Sequence, residues 1–167
     1  MYTSLQQFIA DYSNEAEGTQ KLLDLLTDEA LGQEVSPGYR TLGRLAWHIV
    51  TTVPEMLQRT GLQFDAPYAH AEAPVSATEI AATYRSAVQS MLEALRSQWT
   101  DETLQHEVNL YGDLWRNGYS LHVFLMHEVH HRGQMTILMR QAGLTLPGMY
   151  GPAKEEWTAM GMEAPVV

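Results

Sequence analysis

No cysteine occurs in the chain. This excludes disulfides, thiolate-bound zinc and a cysteine nucleophile, and leaves any metal chemistry to histidine and carboxylate ligands. Basic residues are scarce: ten Lys and Arg stand against 20 Asp and Glu, a formal charge of −10. Such a chain cannot neutralise many phosphates, so nucleic acid and anionic membranes are poor partners. No apolar run reaches the roughly 18 residues that a membrane span requires, and the first residues lack the basic-then-apolar order of a secretory signal. The expected location is cytoplasmic. Alternating strand-like runs are absent as well.

What is present suits one compact domain over residues 1–167, with 45% hydrophobic and 18% charged residues. Leu5, Phe8, Ile9, Tyr12, Ala16, Leu22 and Leu26 recur at helical spacing and predict a helix over 4–27, with Thr3 and Gln6 as a capping box. Leu42, Leu45, Ile49, Val53 and Met56 predict a second over 41–60, kinked near Pro54 and closed by Gly61. Ser76 and Glu79 form a capping box ahead of a third over 77–98. Residues 100–118 read as a long ordered connection. A fourth helix follows over 119–141, stopped by Gly143, and then a short C-terminal helix over 153–160. The fold class is all-α, a four-helix bundle.

The fourth helix carries the chemistry. At about 100° per residue, Val123, Phe124, His127, His131, Gln134 and Leu138 share one side, expected to face the core. Histidines at i and i+4 stand one turn apart, so His127 and His131 can converge on one ion. Seven histidines produce roughly 0.3 such pairs by chance, so the pair alone also fits two ordinary buried residues. His127-Glu128-Val129-His130-His131 satisfies the rarer HExxH pattern, in which two histidines bind zinc and the glutamate acts as base. Metalloproteases set that pattern beside a sheet, and with no strand in sight a protease is disfavoured.

A third ligand is needed, and His48, at the border of the second helix's apolar stripe, is the best candidate. Glu55, two turns on, is either a further ligand or imidazole partner or an exposed carboxylate. His130 could replace His131, or pack or hydrogen-bond at an edge. His70, His106 and His122 read as surface residues. Leu125, Val129 and Thr136 lie opposite the histidines where charge is expected, so a partner copy or the terminal segment should cover them. The partner copy is preferred, which predicts a homodimer.

With these residues assembled, the chain resembles the DinB/YfiT-like family of metal-dependent proteins, unrelated to the DNA polymerase that shares the name. The likeness spans nearly the whole chain. It is carried by Leu45-Ala46-Trp47-His48 and, more specifically, by His127-Glu128-Val129-His130-His131-Arg132-Gly133-Gln134-Met135, with the Pro-rich Leu146-Pro147-Gly148-Met149-Tyr150-Gly151-Pro152 following. The resemblance implies a four-helix bundle, often dimeric, in which His48, His127 and His131 bind a divalent ion, usually zinc or nickel. It further implies a metal-dependent transferase that activates a low-molecular-weight thiol, bacillithiol or similar, for transfer to an electrophile. A non-catalytic metal-binding stress-response protein and a metal-dependent hydrolase are the alternatives. Because the chain has no Cys, such a thiol comes from outside as a co-substrate. The resemblance assigns no role to Glu128.

Overall fold

Helix α1 (Leu5–Leu23) begins where the Ser4 hydroxyl accepts a hydrogen bond from the Gln7 backbone N–H at 3.4 Å. The cap is thus Ser4 rather than Thr3, and the predicted continuation to residue 27 is replaced by a 3-10 turn at Asp28–Gly32. A computed structural model describes residues 1–67 and 72–166; the surface reading of His70 lies outside the described residues. Helix α2 (Leu42–Leu57) is capped by Thr41, runs through Pro54, and passes into a 3-10 turn at Gln58–Thr60. Gly61 then takes φ 91, a left-handed conformation that closes the element with no Cβ penalty. Helix α3 (Ala77–Gln98) has the predicted bounds, and Ser76 caps it by accepting from the Glu79 N–H.

Residues 100–118 are not a plain connection. They hold a 3-10 turn at Thr103–Gln105 and an antiparallel hairpin of β1 (Glu107–Leu110) and β2 (Asp113–Arg116). Its two-residue loop places Tyr111 at φ 57 and Gly112 at φ 97, the left-handed pair that matches the twist of a tight hairpin. Helix α4 (Asn117–Gln141) follows directly. The predicted C-terminal helix is reduced to a single 3-10 turn at Lys154–Glu156.

The helix pairs α1–α3, α3–α2, α2–α4 and α4–α1 all pack together, which makes a four-cornered bundle with α1 and α2 on one diagonal. Phe8, Tyr12, Leu22, Ile49, Leu57, Ile80, Tyr84, Met91 and Phe124 are fully buried between them. Among the described residues no helix is long and apolar enough to cross a membrane.

The side of α4 that faces the core differs from the predicted one. It is formed by Leu121, Phe124, Glu128, Arg132, Met135 and Leu138, while His127 and His131 stand half-buried at its edge toward α2. Leu125 packs against the same core, and Val129 and Thr136 are half-buried. The chain's own core thus covers Leu125, and Val129 and Thr136 in part. The large apolar residues that α4 leaves exposed are Tyr119, Met126 and Ile137.

Candidate metal centre

The helices bring together three imidazoles separated by up to 83 residues of sequence. His48 occupies α2 between buried Trp47 and Ile49, so packing of its neighbours aims its ring at α4. His127 and His131 lie one turn apart on α4. The Nε2 atoms of His48 and His127 are 3.3 Å apart, and those of His127 and His131 are 3.1 Å apart. One nitrogen from each ring falls within 4.8 Å of the others. Two ligands held 2.0–2.1 Å from a tetrahedral ion are themselves about 3.3–3.4 Å apart, so the three donors fit a single divalent ion without rearrangement of the helices.

Protonation also suits ligation. Burial, followed by the charges of His131, Arg40, His127 and Arg44, pushes the His48 imidazolium down to about 4. His127 is lowered to about 4 by burial and by His131 and His130, against an opposing pull from Glu55. Burial lowers His131 too, opposed by its bond to Gln134. All three rings are neutral near pH 7, and no proton has to be displaced before a lone pair can bind a cation.

Gln134 is the residue whose part the sequence did not reveal. Its Oε1 lies 2.8 Å from His131 Nδ1 and its Nε2 lies 3.0 Å from His130 Nε2. An amide oxygen only accepts, so the proton of His131 sits on Nδ1 and the Nε2 lone pair is left facing the cluster. The i,i+3 spacing on a helix was the available signal. His130 is thereby a hydrogen-bonded edge residue and not a fourth imidazole of the cluster. His127 Nδ1 is buried and has no hydrogen-bond partner among the described residues.

Glu55 does not join the nitrogens. Its carboxylate accepts from Arg59 at 2.9 Å and from the Tyr111 hydroxyl at 2.6 Å, which ties the hairpin tip to α2. Glu128, next to His127 on α4, turns into the bundle core and away from the imidazoles. It is 2% exposed and accepts from Thr19 at 2.6 Å, Tyr84 at 2.5 Å and Tyr12 at 2.7 Å. Burial raises its carboxyl, and the three hydroxyl bonds and Arg132 oppose that rise. Glu128 is thus a centre that joins α1, α3 and α4, and cannot reach the imidazole cluster as the base of an HExxH site. His106 is exposed, and His122 is half-buried with its ring 6.4 Å from that of Tyr2. Neither belongs to the cluster.

A sequence model of the family described as DinB family matches residues 1–164. The uncharacterized protein YrdA of Bacillus subtilis (strain 168) is 49% identical over 165 residues, which cover 99% of this chain and 99% of that protein. The crystal structure of a DinB-like protein from Bacillus cereus ATCC 10987 is similar with a TM-score of 0.87 and 48% identity, covering 90% of this chain and 100% of that one. A second DinB-like crystal structure, YjoA from Bacillus subtilis, has a TM-score of 0.69 at 21% identity over 86% of this chain and 96% of that one, a likeness of fold alone.

Proposed function

The chain belongs to the DinB family, and on that premise we propose that it is a metal-dependent transferase that activates a low-molecular-weight thiol for transfer to an electrophile. The observation that supports this reading is the convergence of His48, His127 and His131, with the neutral Nε2 of His127 3.3 Å from that of His48 and 3.1 Å from that of His131. Three protein ligands are the number that catalytic sites use, since a fourth position stays free for a reactant. Zinc and nickel both suit three imidazoles. A divalent ion held there would act as a Lewis acid, lowering the pKa of a thiol enough to supply thiolate at neutral pH.

The chain's own residues do the rest. The packed helices hold the rings in place before any reactant arrives, and Gln134 keeps His131 in the tautomer that offers Nε2. With Glu128 committed to three hydroxyls, no carboxylate of the HExxH segment is available to activate water, which weighs against the hydrolase alternative. A homodimer is part of the proposal, to be tested by sedimentation.

The test is a turnover screen of zinc- and nickel-reconstituted protein with bacillithiol, glutathione or mycothiol and a common electrophile. Thiol-dependent, metal-dependent turnover supports the transferase. Turnover with no thiol selects a hydrolase, and stable metal binding without turnover on any thiol selects a non-catalytic metal protein.

A further inference from the structure

We propose that the groove beside His131 is the binding site for a small amphipathic carboxylate, with Arg40 as the anchor of its charged end. This assignment deepens the metal-centre reading and rests on it for the reaction that such a ligand would undergo. The groove has a volume of about 430 Å³, within the range of small-molecule sites, and His131 of the three-imidazole cluster forms part of its wall. Leu45, Val35 and Ile137 supply apolar surface, while Tyr39, Gln134 and Arg40 supply polar groups. Val35 and Ile137 are 59% and 58% exposed, so this apolar surface is not spent on the chain's own core.

Charge separates this groove from the rest of the surface. The chain has twice as many acidic as basic residues, and six of its ten basic side chains are engaged in ion pairs. Among the described residues Arg40 has neither an ion pair nor a hydrogen bond from its side chain, and no carboxylate lines the groove. An unpaired guanidinium at the mouth of an apolar groove attracts an anion, and its planar fork matches a carboxylate.

The loop that carries Arg40 is pinned at both ends. Glu34 and Thr41 form an isolated antiparallel bridge, and the Leu42 N–H donates to the Gln33 carbonyl at 2.8 Å. Arg40 is therefore presented on a closed turn and not on a loose strap, which reduces the ordering cost of binding.

The test titrates 4-phenylbutyrate and 4-phenylbutanamide, which share an apolar body and differ in charge, into metal-free and zinc-reconstituted protein by calorimetry. Arg40→Gln is compared with wild type and with Arg96→Gln, which removes the same charge at a distant groove on α3. Unchanged thermal midpoints show that the variants are folded, and elemental analysis gives the zinc content of each. The acid should bind about tenfold more tightly than the amide to wild type and Arg96→Gln, and Arg40→Gln should remove the preference. Equal binding of acid and amide, no binding of either, or a preference that survives Arg40→Gln overturns the assignment. A preference that survives and needs zinc places the carboxylate on the metal and overturns it too. If wild type holds no zinc, the metal reading fails, and the metal-free titration still decides the groove.

Discussion

His131 Nδ1 and Gln134 Oε1 lie 2.8 Å apart, one turn along α4, so the orientation of one imidazole is set by an amide that does not itself enter the cluster. The same amide reaches His130 through its nitrogen. Orientation of this kind is what lets a half-buried ring serve as a ligand.

Gln134→Leu should keep all three imidazoles and weaken metal affinity about 10–100-fold, the usual effect of losing a partner that orients a ligand. Competition with a chromophoric chelator measures it. Affinity equal to that of wild type would mean that packing alone orients His131.

Glu128→Ala should destabilise the fold by about 3 kcal/mol or more, because the hydroxyls of Tyr12, Thr19 and Tyr84 lose their common acceptor while buried. Urea unfolding gives the value. The folded fraction should still bind metal, and a variant of normal stability with no metal would instead make Glu128 a part of the centre.

That residue also shows where the sequence was legible and where it was not. The i,i+4 spacing of His127 and His131 and the border position of His48 were readable from helical periodicity, as were the bounds of α3 from Ser76 and the apolar stripe that follows. The core face of α4 was not. Glu128 and Arg132 fall outside the predicted core stripe, yet both are buried because their partners, Tyr12, Thr19 and Glu15, arrive from α1, more than 100 residues away. Periodicity cannot report an acceptor supplied by another helix. The hairpin escaped for a different reason: four-residue strands joined by Tyr111 and Gly112 lack both a long alternation and the Asn-Gly signature of a tight turn. The helix ends shifted where 3-10 turns took over, as at Asp28–Gly32.

Gly118→Ala should cost about 1–3 kcal/mol, since a Cβ at that position would meet the Tyr2 carbonyl oxygen at 2.0 Å. The Tyr2 N–H donates to the Gly118 carbonyl at 2.9 Å, so the N-terminal segment and the start of α4 would have to separate. A lowered thermal midpoint with unchanged metal content is the expected result. An unchanged midpoint would show that the N-terminal segment yields freely.

The metal-free protein should lose stability as pH falls. His48 and His127 titrate near 6.5 in the unfolded chain and are lowered to about 4 in the folded one, so between these values the unfolded chain binds more protons. Their contribution is intact above about 6.5 and is lost progressively down to about 4. Urea midpoints of the metal-free protein between pH 4 and 7 should fall more steeply than those of a His48→Gln, His127→Gln double variant. Parallel curves would mean that these rings are not held neutral by the fold.

One divalent ion shared by His48, His127 and His131 is what the proposed chemistry requires. Elemental analysis of purified His48→Ala, His127→Ala and His131→Ala, with His122→Ala as control, tests it most directly. Each of the first three should lose most of its metal while the control keeps the wild-type content. Undiminished metal in His48→Ala would rule out a site shared by the three imidazoles.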